Sequence, residues 1–207
     1  MYSSSVFGRI LSASGCSIPT IIRYTFIMNY VALLRGINVG GNNIVPMSEL
    51  KECFEALHLK NVKTFINSGN VLFETDEIDQ VMLRSMIEKA LENHFKIVLR
   101  IVLVDSERYQ RVIKNAPAWW GKDATWKHNL IFLIEPYEIQ DVVKAVGMLK
   151  PEIEAMKPGD GVLYQSMSFE KFGRTTAGKL AANPIYKKMT IRNFNTASKL
   201  ALLLATE

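Results

Sequence analysis

Tyr30-Val31-Ala32-Leu33-Leu34-Arg35-Gly36-Ile37 is an apolar run that stops at a loop of Gly and Asn, residues 38–43. It reads as a strand followed by turn chemistry. Pro46 then stands where a helix can start. Leu50, Cys53, Phe54 and Leu57 recur at the spacing of one helical face. Val62–Ile66 and Val71–Thr75 are short runs of β-formers, and Asn67-Ser68-Gly69-Asn70 between them is a turn. Asp79 can cap a helix whose apolar face is Met82, Met86, Ile87, Ala90 and Leu91. Val98–Val104 is a further strand. The order β-α-β-β-α-β is that of a ferredoxin-like unit.

Working outward from this unit, Asp105 can cap a helix through Asn115 that stops before Pro117. The pattern then recurs. Asn129–Ile134 is an apolar strand, and Ile139, Val142, Val143 and Val146 share a helical face. Ile153–Met156 and Val162–Met167 flank Pro158-Gly159-Asp160-Gly161, a hairpin signal. Asn183-Pro184 starts a short helix through Lys188, Thr190–Phe194 is a last strand, and Asn195 or Thr196 caps a final helix carrying Leu200, Leu203 and Leu204. The expected fold is α+β: duplicated ferredoxin-like (βαββαβ) subdomains, with the two sheets in one compact unit. Residues 28–104 form the first half, 105–127 a connecting helix and Trp-rich linker, and 128–207 the second half with its C-terminal helix.

The pleat adds a constraint. Side chains alternate faces along a strand. Leu99, Ile101 and Leu103 fill one face of their strand, and Val98, Val102 and Val104 the other. In the opening strand Val31, Leu33 and Ile37 share a face with Arg35, against Ala32 and Leu34. Helices cover one face of such a sheet, so apolar residues on both faces require a second cover. The other half of the chain is the economical candidate; a homodimer or a ligand is the alternative. Arg35 and Arg100 then stand in a partly buried seam.

The chain has 207 residues, 48% hydrophobic and 22% charged, a globular composition. Two cysteines exclude a disulfide scaffold or a four-thiolate zinc site. No run approaches the roughly 18 apolar residues of a membrane span. Net charge is +5, distributed unevenly: +2 over residues 1–27, −2 over 28–168, +6 over 169–199 and −1 over 200–207. A local basic surplus concentrates polyanions; a solvated basic face explains the same residues without function. Residues 1–27 are Ser-rich and acid-free. They read as a targeting peptide or, preferably, as a poorly ordered extension upstream of a second start at Met28. The expected compartment is the cytoplasm, with no membrane partner.

Three runs carry a family resemblance. Residues 30–41, Tyr-Val-Ala-Leu-Leu-Arg-Gly-Ile-Asn-Val-Gly-Gly, resemble the opening signature of the domain of unknown function 1697 family. Asn67-Ser68-Gly69-Asn70-Val71-Leu72-Phe73 resembles its second motif, and Thr190-Ile191-Arg192-Asn193-Phe194-Asn195-Thr196 with Lys199-Leu200 its third. Phe194 stands where that motif usually has Trp. The resemblance spans about residues 29–204 and implies a bacterial-type cytosolic protein of two ferredoxin-like subdomains that starts near Met28. It implies no reaction.

The candidate chemistry is sparse. The loop holding Asn38, Gly40, Gly41 and Asn42 joins a strand to a helix and can aim backbone N–H groups at an anion, with Arg35 beside it. The plain alternative is a tight connection in left-handed conformation. Gly173-Arg174-Thr175-Thr176-Ala177-Gly178-Lys179 has phosphate-loop spacing, but Leu180 stands where the magnesium-binding hydroxyl belongs. Arg174, Thr175, Thr176 and Lys179 are left as phosphate-binding candidates without hydrolysis. Trp119, Trp120 and Trp126 can stack on nucleic acid bases or plug the seam. The histidines lack metal-ligand spacing, and no catalytic constellation is found. No cofactor is implied. The expected function is a binding module for an anionic ligand, nucleic acid or phosphorylated metabolite, using Arg35, Asn38, Gly40, Gly41, Asn42, Arg174, Thr175, Lys179, Arg192 and Asn193. An enzyme with a site in the cleft between the halves and a protein-interaction module are the alternatives. Arg35 is expected to share a pocket with Lys179 or Arg192.

Overall fold

The structure is a computed structural model that describes residues 27–41, 43–77, 79–176, 180 and 182–205. The N-terminal extension, Asn42 and Lys179 fall outside the described residues, except for Ile27.

Met28–Leu34 (β1) is buried continuously from Tyr30. A strand with apolar side chains on both faces belongs inside a sheet, and β1 sits between Asn70–Thr75 (β3) and Ile101–Asp105 (β4). Lys60–Phe65 (β2), with Lys60, Asn61 and Lys63 exposed, takes an edge beyond β3. Charged side chains suit an edge, where they discourage pairing with other chains. All pairings in this sheet are antiparallel.

Tyr30, Ala32, Leu34, Val71 and Phe73 face Met47–Glu55 (α1) and Gln80–Phe95 (α2). Asp79 caps α2 as its sequence position suggests, accepting from the N–H groups of Val81 and Met82. The buried face of α2 differs from the expected one. Leu83, Ile87 and Leu91 are buried, while Met82 and Met86 are exposed. Apolar residues at 81, 82, 83, 86, 87, 90 and 91 offer two overlapping stripes. Packing selects the row spaced by four, whose members stack above one another on the sheet side. Ile37 also changes sides. Gly36 has φ +65, which breaks the alternation, so Ile37 packs with Ala32 and Leu34 rather than with Val31 and Leu33.

The second sheet repeats the strand order. Trp126–Leu133 (β5) lies between Val162–Ser168 (β7) and Met189–Asn193 (β8), with Glu154–Pro158 (β6) outside β7. These pairings are antiparallel too. Ile139–Val146 (α4) covers the outer face through Ile139 and Val142, against Ile131, Leu163 and Met189. The Asn183-Pro184 signal yields a 3-10 turn, Pro184–Lys188, with the Asn183 side chain accepting from Ile185 N–H. Asn193, not Asn195 or Thr196, caps the last helix, Phe194–Ala205 (α5): its Oδ1 accepts from Thr196 N–H at 2.8 Å. The described residues thus form a mixed α+β protein of two four-stranded antiparallel sheets and five α-helices.

The inner faces of both sheets share one core. Val31, Leu33 and Leu72 from the first meet Leu130, Phe132 and Tyr164 from the second. Ser106–Lys114 (α3), capped by Asp105, and α5 contribute Tyr109, Val112, Ala197 and Leu200 to the same cluster. The second cover is therefore the rest of the chain, two helices included. Polar tips are satisfied inside it: the Tyr109 hydroxyl donates to Ala197 C=O at 3.1 Å and Trp120 Nε1 to Asn129 C=O at 2.9 Å. Trp120 packs edge-on against Tyr164 and Phe194, which is the seam-plugging role.

Candidate functional site

The three motif runs meet at the C-terminal end of β1. Leu34 N–H donates to Gly69 C=O at 2.8 Å, and the Thr190 hydroxyl donates to Leu34 C=O at 3.2 Å. Gly69, at φ +76, has no room for a side chain: a Cβ there would stand 2.7 Å from Ile37 Cδ1 and 2.8 Å from Leu34 Cβ. Arg192 lies across this joint, 5% exposed. Its Nε donates to Asn70 Oδ1, Nη1 to Thr190 Oγ1 and Ile191 C=O, and Nη2 to the carbonyls of Leu34, Ser68 and Gly69. No carboxylate pairs with it among the described residues. Burial pulls its pKa down to about 10, opposed in part by Tyr109. It remains a cation at neutral pH, held by carbonyl dipoles. All five of its N–H groups are directed at the protein, so Arg192 joins the sheets and faces no open cavity.

Arg35, one residue past β1, turns outward. Its Nε donates to Met189 C=O at 2.9 Å and Nη2 to Tyr186 C=O at 3.0 Å, and the guanidinium lies 5.8 Å from the Tyr186 ring centre. These contacts hold it at the wall of a cavity of about 390 Å³, lined also by Ala182, Asn183, Pro184, Tyr186 and Lys187. Neither Arg35 nor Lys187 pairs with a carboxylate among the described residues. Two cations thus share a partly enclosed space whose lining, among the described residues, carries no carboxylate, which makes the local potential positive. Arg35 shares its cavity with Lys187, not with Arg192.

The other described candidates do not line this cavity. The Asn38 side chain donates to Val45 C=O and Asn67 C=O and accepts from Val45 N–H, tying the Gly/Asn loop to the β2–β3 turn. Gly40 and Gly41 take positive φ on the exposed loop and line neither cavity described here. Thr175 is fully buried, its hydroxyl donating to Phe172 C=O at 2.6 Å. Arg174 is exposed, and its carbonyl accepts from Lys150 Nζ. Asn193 is the cap of α5. Arg100, placed by its sequence position in the seam, pairs with Glu88 instead. Glu154 went unnoticed in the sequence: it is buried, and its carboxylate accepts from Lys150 N–H, Thr176 N–H and the Thr176 hydroxyl. Nothing in a lone Glu between two lysine-bearing segments signals that role.

A second cavity, about 320 Å³, runs along β4 between the two sheets. Phe132, Leu133 and Val162 give it an apolar floor, and Arg84, Arg108 and Glu135 a charged rim. Arg84 and Glu135 pair across it at 2.6 Å. No group of three metal-ligating side chains occurs among the described residues.

Fold and sites together define an α+β protein of two antiparallel sheets around a shared core, with a basic cavity at the joint and a cleft at a sheet edge. The chain belongs to DUF1697, a family described as protein of unknown function, whose pattern matches residues 27–164. The third motif run lies beyond those residues. The structure is similar to that of conserved bacterial protein SP0830 from Streptococcus pneumoniae, with a TM-score of 0.78 and 30% sequence identity over 86% of this chain and 99% of that one. No curated protein matches the chain. No helix among the described residues is long and apolar enough to cross a membrane.

Proposed function

We propose that this protein is a cytoplasmic binding module, built from two ferredoxin-like βαββαβ halves, that takes a phosphate-bearing ligand in the Arg35–Lys187 cavity. The common strand order of the two sheets supports the duplication. The observation that carries the ligand class is the placement of Arg35 and Lys187 on one cavity without a paired acid. The guanidinium supplies a planar fork for phosphate oxygens and Lys187 a mobile point charge. Lys187 belongs to the basic surplus of residues 169–199, and such a local surplus draws anions.

Thermal shift with pyrophosphate, a nucleoside monophosphate and a single-stranded RNA oligonucleotide tests the reading, because a ligand that favours the folded state raises Tm. A small phosphate that raises Tm in the native protein, and no longer does so in Arg35→Gln and Lys187→Gln, supports it. A response to RNA alone, steeply reduced by salt, assigns the site to nucleic acid. No response to any of the three at low salt, or a response that both variants retain, overturns it.

A further inference from the structure

Four successive residues of β4, Ile101 to Val104, line the cleft between the sheets. Neighbouring side chains on a strand point to opposite faces. A cavity that touches four in a row therefore runs along the strand's edge, and β4 is an edge strand. Two contacts fix which backbone groups point there. Arg35 N–H donates to Arg100 C=O, toward β4, and Leu34 N–H donates to Gly69 C=O, toward β3. By the same alternation Ala32 turns its backbone groups to β3. Its register partner Leu103 then turns N–H and C=O away from β1 and into the cleft. Ile101 N–H points the same way and is taken by the Glu88 carboxylate at 3.0 Å. Leu103, only 6% exposed, has no such partner among the described residues. An open donor and acceptor on an edge strand are a template for pairing with another chain. A peptide unit, with an acceptor and a donor at strand spacing, satisfies both.

The charges say what kind of peptide. Arg84 from α2 and Arg108 from α3 line the cleft together with the exposed carboxylates Glu135 and Glu138, so an incoming carboxylate has to compete for the guanidiniums. Arg84 is held by Glu135, a carboxylate 66% exposed, and an ion pair of that kind is readily exchanged for another carboxylate. Arg108 lies against Gly161, where a Cβ would fall 1.7 Å from its Nη2. The hairpin thus makes room for this guanidinium, whose contacts with Asp160 are long, 3.4 Å to the carbonyl and 3.8 Å to the carboxylate. Phe132, Leu133 and Val162 offer an apolar floor for alternate side chains.

We propose that the cleft binds an extended acidic peptide, which adds to β4 as a fifth strand of the first sheet while its carboxylate replaces Glu135 on Arg84. Main-chain bonds supply affinity in this mode and the flanking groups supply selectivity. The site is separate from the Arg35 cavity and stands or falls without it.

The probe is a pool of random-sequence hexapeptides ending in glutamate with a free carboxylate, added to the full chain labelled with nitrogen-15. The expected result is a shift of the Leu103 amide resonance and slowed exchange of its N–H. Arg84→Gln is expected to weaken binding by about tenfold, and Glu135→Gln, which removes the competing carboxylate, to strengthen it. The same pool with N-methylated backbones is expected to leave Leu103 unmoved. No response at Leu103 to the pool at millimolar concentration overturns the proposal. So does an equal response to the N-methylated pool, or unchanged binding in Arg84→Gln when the rest of its spectrum matches the native one.

Discussion

Arg192 and Arg35 are both basic residues near the basic end of the joint, and their surroundings give them opposite work. Arg192 is sealed in and spends its donors on Leu34, Ser68, Gly69, Asn70, Thr190 and Ile191. Arg192→Met leaves several buried acceptors without donors. The expected loss is on the order of 3 kcal/mol in urea denaturation. Arg192→Lys recovers little, because an ammonium cannot serve acceptors spread over a planar fork. Arg35→Gln removes two half-exposed contacts and is expected to cost about 1 kcal/mol while abolishing the proposed phosphate binding. A large stability loss in Arg35→Gln would show that Arg35 too is structural. Sequence placed both residues among the ligand-binding candidates because charge has a sign in a sequence but no direction. The direction of Arg192 follows from the register of β8, where Ile191 turns to the outer face and so sends Arg192 inward.

Elements were more legible than their packing. The Asp79 and Asp105 caps, the Asn183-Pro184 start and the Pro158-to-Gly161 hairpin all stand where local chemistry puts them, since each depends on hydrogen bonds within a few residues. The buried side of α2 was not legible, because its apolar residues allow two rotations about the helix axis. That difference is measurable. Leu83→Ala is expected to destabilise the protein by about 3 kcal/mol through lost burial and a residual cavity. Met82→Ala is expected to stay within about 0.5 kcal/mol. Equal losses would mean that the helix sits rotated from the position described.

At the scale of the whole molecule, both sheets close on one core that includes Tyr109 and Tyr164, while Tyr30 is buried on the other face of the first sheet, beneath α1 and α2. Burial pushes the phenols of Tyr30, Tyr109 and Tyr164 up from the usual value of 10.0. Their folded pKa values lie above the unfolded one, so their contribution to stability is whole below pH 10 and is lost as pH rises beyond it. Arg192 has the opposite sign: its pKa falls from 12.5 to about 10, so the folded state gains from its deprotonation between those values. Three phenols outweigh one guanidinium, and net stability is expected to fall above pH 10. Phenolate absorbance from these three tyrosines is expected to appear together with loss of circular dichroism. Ionisation of Tyr109 and Tyr164 with the fold intact would contradict the shared core.

Chain chemistry by itself determined the succession of strands and helices, the caps and turns, and the requirement that both faces of the opening strand be hidden, because these follow from side-chain period and local hydrogen bonding. It also carried the motif runs that resemble DUF1697. Only the tertiary structure decided that α3 and α5 sit inside the seam and that the motif runs meet around Arg192. It alone set Lys187 beside Arg35 and left the Leu103 edge open. Those outcomes depend on which residues far apart in sequence approach one another, and neither periodicity nor charge count contains that distance.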